Sequence, residues 1–225
     1  MNPVSPLYAS RFSAWAPGLD RLDAWQEWAA GRREIPGSEE SPALEFTDPL
    51  FRRRLSRISR MTIQVLHELL PPGEDRKILF FSFRGEITQQ LRINQELIEE
   101  HTVRPAVFSL SVFNTPVALA TIALDLRAGY SAVYPDEGRF DLGLQAAAAP
   151  VAAGDEESMA LVYADESVPE EYGPLRPRKN GSLALGAILS SQNSKGALPL
   201  NRADGTSPEN FLRSLLRWGV PYGSP

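Results

Sequence analysis

Apolar residues recur every three or four positions between Asp48 and Leu70, where Phe51, Leu55, Ile58, Thr62, Val65, Leu66 and Leu69 line one side. That spacing predicts one long amphipathic helix. Asp48 is placed to cap it, Pro49 suits its first turn, and the PPG at Pro71 to Gly73 ends it. The pattern then changes to ILFFSF, Ile78 to Phe83, an apolar run between charged residues. A short run of this kind predicts a strand covered on both faces.

The same reading extends along the chain. A short helix is predicted over about Asp20 to Ala30, docked by Leu22, Trp25 and Trp28, while the residues before it carry no clear pattern. RGEITQQLRINQELIEE returns to helical composition with Ile87, Leu91, Asn94 and Ile98 on one side. Asn114 or Thr115 is placed to cap a buried helix with Pro116 in its first turn and Val117, Ala120, Thr121, Leu124 and Ala128 as its packing surface. Tyr130 to Tyr134 reads as a strand, PDEGR as a turn and FDLGLQAAAA as a short helix. Met159 to Ala164 and Ser182 to Ser190 are predicted strands, separated by a Pro-rich charged loop. Ser207 begins a final helix that packs through Phe211, Leu212, Leu215 and Trp218. Strands alternating with helices give an α/β class, and the length favours a single domain over residues 1–225.

Composition narrows the chemistry. The chain carries 23 Lys and Arg against 28 Asp and Glu, a net charge of -5, which does not match the positive footprint of a nucleic-acid binder. It has no cysteine, so a thiol nucleophile, a disulfide and thiolate metal ligation are all excluded. With two histidines, His67 and His101, one copy cannot build a three-histidine metal site, and no metal site is expected. No signal-peptide pattern opens the sequence and no apolar run is long enough to span a bilayer, so a cytoplasmic location is expected.

Candidate chemistry is sparse. No nucleophile elbow, P-loop, zinc-protease helix or dinucleotide-binding glycine pattern is present. Asp136, Glu137 and Asp141 gather near a strand-to-helix junction, where carboxylates serve acid/base work or simply favour the following helix N-terminus. An acyltransferase or hydrolase using Asp136, Glu137 or His67 stays open as an alternative. Arg84 is placed either to pair with a carboxylate or to meet an anionic ligand, and Glu86 to favour a helix dipole. Arg52, Arg53, Arg54, Arg57 and Arg60 fall within nine residues and offer either a solvated helix face or a docking patch for an acidic partner. His67 and His101 each sit near a predicted helix end, where a cap is the plain reading.

Several blocks, in order, carry a resemblance: RISRMTIQVLHELL, FSFRGEITQQL, FSLSVFNTPVALATIAL, SAVYPDEGRFDLGLQAA, MALVYADE and FLRSLLRWG, together spanning most of residues 45–218. The chain resembles the ketoacyl-synthase-like proteins described as chain length factors of aryl polyene biosynthesis, which are similar to the N-terminal half of a thiolase-fold ketosynthase. The resemblance implies a thiolase-like α/β fold, a truncated ketosynthase N-terminal half whose mixed sheet is covered by helices. In condensing members the nucleophilic cysteine follows the strand after the FSLSVFNTP-like block. The matching stretch here, Tyr134 to Gly138, has no thiol, so no covalent acyl step runs through it. Neither histidine falls in a matching catalytic motif.

The resemblance further implies a non-catalytic subunit that forms a heterodimer with a beta-ketoacyl-ACP synthase and helps shape its acyl tunnel in aryl polyene biosynthesis. Phe108, Ser109, Leu110, Ser111, Val112, Phe113 and Asn114, with Tyr130, Ser131, Ala132, Val133, Tyr134, Pro135, Asp136 and Glu137, are the implied interface. Phe113, Tyr134 and Pro135 are tunnel candidates. No cofactor is expected on this chain; the phosphopantetheine-linked acyl group belongs to an acyl carrier protein, which the arginine cluster is charged to attract. An independent homodimeric acyl-binding or scaffold protein is the other reading.

Overall fold

The computed structural model describes residues 6–177 and 180–223. In chain order the elements are β1 (Tyr8–Trp15), α1 (Leu22–Ala29), α2 (Pro49–Arg52), α3 (Arg57–Leu69), β2 (Ile78–Phe81), α4 (Ile87–Glu100), α5 (Pro105–Phe108), α6 (Thr115–Ala123), β3 (Tyr130–Val133), α7 (Phe140–Ala153), β4 (Ser158–Asp165), β5 (Leu183–Ser190), β6 (Leu198–Pro199) and α8 (Pro208–Trp218). Short 3-10 turns occupy Glu170–Leu175 and Leu200–Arg202.

The strands form one mixed sheet in the order β3-β2-β4-β5-β1-β6. β2 runs parallel to β3 and β4, with Ile78 facing Tyr130 on one side and Ala160 on the other. β5 is antiparallel to both β4 and β1. Alternation along β2 divides the core between the two faces of the sheet. Leu79 and Phe81 join Phe12, Trp25, Phe140, Leu161 and Phe211 beneath α1, α7 and α8. Ile78 and Phe80 join Ile58, Val65, Leu66, Val117 and Val162 beneath α3 and α6. This is the expected α/β arrangement, a mixed sheet covered by helices on both faces.

Two glycines set the helix-to-sheet distances. A Cβ at Gly186 would lie 2.7 Å from Val65 of α3, and one at Gly143 would lie 2.6 Å from the Phe81 ring. Each therefore lets a helix and the sheet approach more closely than any side chain allows.

Several expectations are corrected. The helix expected over 48–70 is two helices, because Ser56 caps α3 anew by accepting from Ser59 N–H. Asp48 caps only the short α2, accepting from Leu50 and Phe51 N–H, with Pro49 at its start. β2 stops at Phe81, and Ser82 and Phe83 already belong to a turn. α4 buries Ile93 and leaves Ile98 73% exposed, since it packs beside α5 rather than flat on the sheet. α6 buries Val117 and Ala120 but ends at Ala123, leaving Ile122 exposed. α7 continues to Ala153, past the internal Pro150, until left-handed Gly154 closes it. β1 and β6 carried no recognised signal. In β1 a register shift between Ala9 and Arg11 breaks the alternation that marks a half-buried strand.

Candidate functional site

The carboxyl ends of β2, β3 and β4 bring together most of the buried ionisable groups. β2 leads through α6 on one face to β3, and β3 leads through α7 on the other face to β4. The loops after neighbouring β2 and β3 thus diverge to opposite sides, the place where open α/β sheets form ligand crevices.

Asp165 ends β4, is 1% exposed, and acts as the anchor of this rim. Its carboxylate accepts from Ser82 Oγ, from Tyr163 Oη at 2.8 Å, and from Phe83 and Arg84 N–H at 3.2 and 3.1 Å. Ser82 Oγ in turn accepts from Gly85 N–H at 2.7 Å, closing the 82–85 turn, in which Gly85 has φ 57°. Burial pushes the Asp165 carboxyl up and these donors pull it back. The same burial, with Asp165 beside it, raises the Tyr163 phenol well above its usual range.

Arg84 leaves this turn with its guanidinium mostly enclosed. It donates to the Glu166 carbonyl at 3.4 Å and to Glu137 Oε1 at 2.5 Å across the gap between the diverging loops. Glu86 does not support the α4 dipole from the surface, as its position suggested, but turns inward and is 1% exposed. Its Oε1 accepts from Ser56 Oγ at 2.7 Å and Ser59 Oγ at 3.0 Å, and its Oε2 has no partner among the described residues. Burial, with the Glu166 carboxylate adding to it, raises this carboxyl to about 8 against the opposing Ser56 and Ser59 bonds. Glu166 replaces it as the side chain bonded to the start of α4, accepting from Thr88 N–H at 3.2 Å.

The proposed seam residues fall on one side of the molecule but differ in role. Phe108, Ser109 and Val112 are exposed, and Leu110 is half-buried. Ser111 is buried, bonded through its hydroxyl to the Phe108 carbonyl and through its own carbonyl to Gln90. Phe113 is wedged between Phe80 and Tyr134, with ring centroids 5.9 and 4.8 Å away, over Gly85, whose added Cβ would strike it at 2.9 Å. Asn114 does not cap α6 with its side chain and instead donates to Tyr130 Oη at 3.0 Å. Tyr130, Ala132 and Val133 are half-buried on the edge strand, and Ser131 is exposed. Tyr134 is 62% exposed, Pro135 is buried, and Asp136 and Glu137 are exposed.

The arginine cluster divides. Arg52 donates to the Ala43 and Leu44 carbonyls, Arg60 to the Pro42 and Arg52 carbonyls, and Arg57 pairs with Glu39 and bonds Ser167. Those three fasten the 39–44 segment, while Arg53 and Arg54 are exposed. His67 stacks on Phe46 at 3.6 Å, and burial lowers its pKa. His101 is the left-handed C-cap of α4. No hydrogen bond among the described residues joins His67 to Asp136 or Glu137, and Asp141 is paired with Arg139. Among the described residues no group of three or more His, Asp or Glu is arranged to hold a metal, and no helix is long and apolar enough to cross a membrane.

A cavity of about 820 Å³ lies between the end of α1 and the start of α8, lined in part by Trp28, Ile35, Arg84, Tyr163 and Arg213. Phe113, Tyr134 and Pro135 do not line it. Ser82, Tyr163, Asp165 and Glu166 hold this rim although no motif announces them. The available signal was the pair of acids directly after a fully apolar strand, where unpaired charge is expensive and must find donors.

Comparison with solved structures gives the same architecture. The chain is similar to a chain in the structure of a ketosynthase (ApeO) in complex with its chain length factor (ApeC) from Xenorhabdus doucetiae, with TM-score 0.76, 24% identity, and 94% of this chain and 92% of that one covered. It is also similar to the ishigamide ketosynthase/chain length factor, with TM-score 0.66, 12% identity, and 86% of this chain and 64% of that one covered. A beta-ketoacyl synthase from Burkholderia phymatum gives TM-score 0.55 at 12% identity, with 83% of this chain and 59% of that one covered. The chain thus spans less than two thirds of the last two. No curated protein sequence matches. The family model described as beta-ketoacyl synthase, N-terminal domain, matches residues 25–212, and by that match the chain belongs to the beta-ketoacyl synthase N-terminal domain family.

Proposed function

We propose that this chain is a non-catalytic, chain-length-factor-like subunit that pairs with a catalytic beta-ketoacyl-ACP synthase in aryl polyene biosynthesis. The observation that carries the reading is the edge strand β3. Among the described residues it pairs with β2 alone, has three half-buried residues and one exposed, and is followed directly by exposed Tyr134. Its sequence, YSAV, has neither charge nor proline, the devices that protect a free edge, so a partner strand is its natural cover. A partner with a ketosynthase active site supplies the nucleophile that the cysteine-free chain lacks. The likeness to structures described as ketosynthase and chain length factor supports the choice of partner.

In this role Phe113, Tyr134 and Pro135 act from the seam, shaping the partner's acyl tunnel by bulk and by excluding water. The phosphopantetheine-linked acyl group stays on an acyl carrier protein, which exposed Arg53 and Arg54 help to attract. The test is reconstitution: this chain is copurified with a tagged ketosynthase from the same source, and malonyl-dependent elongation is measured for each alone and for both. A stable pair that elongates only when complete is expected. A ketosynthase equally active alone, beside a chain that does not bind it, contradicts the proposal.

A further inference from the structure

The loop between β3 and α7, residues 134–139, is seated at its start by buried Pro135 and by Tyr134 against the Phe113 ring, and beyond them its side chains hold it weakly. Asp136, Glu137, Gly138 and Arg139 are exposed, and Arg139 bonds only within its surroundings, to Asp141 and to the Asp136 carbonyl. Among the described residues, the one side-chain hydrogen bond from this loop to a distant element joins Glu137 to Arg84.

Arg84 is unusually well founded for that task. Its backbone N–H is held by Asp165, whose carboxylate is fixed by Ser82, Phe83 and Tyr163 as well. Its guanidinium also leans on the Glu166 carbonyl and has a side-chain exposure of 13%. A charged hydrogen bond springing from a buried, fully donated carboxylate is more rigid than a surface pair between two free side chains.

We infer that Arg84 is a positioning residue: through Glu137 it locks the β3–α7 loop in place, and so sets what this subunit presents to the growing acyl chain of its partner. The second clause rests on the proposed pairing with a ketosynthase; the first does not. Neither residue touches reacting atoms. Their effect is on loop geometry alone, which is why the two are expected to fail in the same way when either is removed.

Amide hydrogen exchange on the full chain tests the lock. Arg84→Ala and Glu137→Ala should each lower protection of residues 134–142 by about tenfold, the double variant no further, and Arg84→Lys should recover part of the loss. Pairs assembled from the same variants and the ketosynthase should give an altered distribution of product lengths. Loss of protection in Arg84→Ala spread over the whole fold, with Glu137→Ala unchanged, would overturn the lock and leave Arg84 a folding residue. Locked and unlocked pairs with identical products would overturn the link to elongation. Failure of the unmodified chain to bind the ketosynthase contradicts the pairing itself, and the exchange experiment still decides the lock.

Discussion

Every residue of β5, from Leu183 to Ser190, is buried between two helical layers, whereas β3, at the far end of the same sheet, has no fully buried residue. The β1 end of the sheet is finished by β6, a two-residue strand carrying Pro199, which cannot extend a ladder of hydrogen bonds. The β3 end has no such stop, and the α4–α6 segment that joins β2 to β3 exposes Leu97, Ile98, Phe108, Val112 and Ile122. One side of the molecule is a finished core. The other has the composition of an interface, with an open strand edge, apolar side chains outside and buried carboxyls at its root.

The most damaging change expected is in the core beside the open edge, Phe80→Ala. Phe80 is fully buried between β2 and the α3/α6 layer, and its truncation should cost about 3–5 kcal/mol, read from denaturant midpoints. A cost under about 1 kcal/mol would mean that this layer is not a packed core.

At the root of the open side, the buried Glu86 carboxyl sets a pH dependence. The folded chain keeps a proton there up to about pH 8, while the unfolded chain releases it above its ordinary value of 4.5. The contribution of Glu86 to stability is therefore fullest below pH 4.5, declines as pH rises toward 8, and levels off beyond. Glu86→Gln keeps the oxygen that accepts from Ser56 and Ser59 without the ionisation. It should gain about 3 kcal/mol over the unmodified chain at pH 7, and nothing at pH 4. An equal effect at both values would show that Glu86 does not titrate as described.

Smaller effects on stability separate the two kinds of seam residue. Phe108→Asp changes an exposed side chain and should alter the stability of the chain by less than about 0.5 kcal/mol while abolishing association. Phe113→Asp is no clean probe of the seam, because Phe113 is wedged over Gly85 and against Phe80. It should unfold or loosen the chain itself, seen as a lowered melting temperature before any partner is added. If Phe108→Asp assembles normally, α5 lies outside the interface. The smallest effect belongs to Arg53→Glu with Arg54→Glu: slower carrier-protein association at low ionic strength, vanishing as salt shortens the screening length to about 3 Å near 1 M. A salt-independent change would place the effect elsewhere.

Much of this contrast was legible in the sequence, and the limits have physical causes. ILFFSF announced a strand buried on both faces because parallel strands lose the alternation that solvent imposes. The Tyr130 strand and the Ser207-capped helix were equally clear, since β-branched, aromatic and capping residues act locally. α4 misled because its apolar spacing looks the same whether Ile98 meets a core or a partner. The break before α3 rests on the Ser56 cap, which a continuing apolar stripe from Phe51 to Leu69 conceals. β1 was invisible because its register shift breaks the alternation in its first half and its second half, Phe12 to Trp15, is buried at every position although it includes Ser13 and Ala14. The rim itself joins Ser82 to Asp165 and Arg84 to Glu137, pairs separated by 83 and 53 residues, and only the parallel pairing of β2 with β3 and β4 brings them together. Arg52, Arg57 and Arg60 illustrate the same limit, since a cluster in sequence became three internal fasteners and two exposed charges.

The most direct test of the open edge is amide hydrogen exchange across Tyr130 to Tyr134 with and without the ketosynthase. These amides, and those flanking Phe108 and Val112, should gain protection in the pair while β5 is unchanged. Pair formation that leaves the β3 amides as exchangeable as before would contradict this and move the interface to another face.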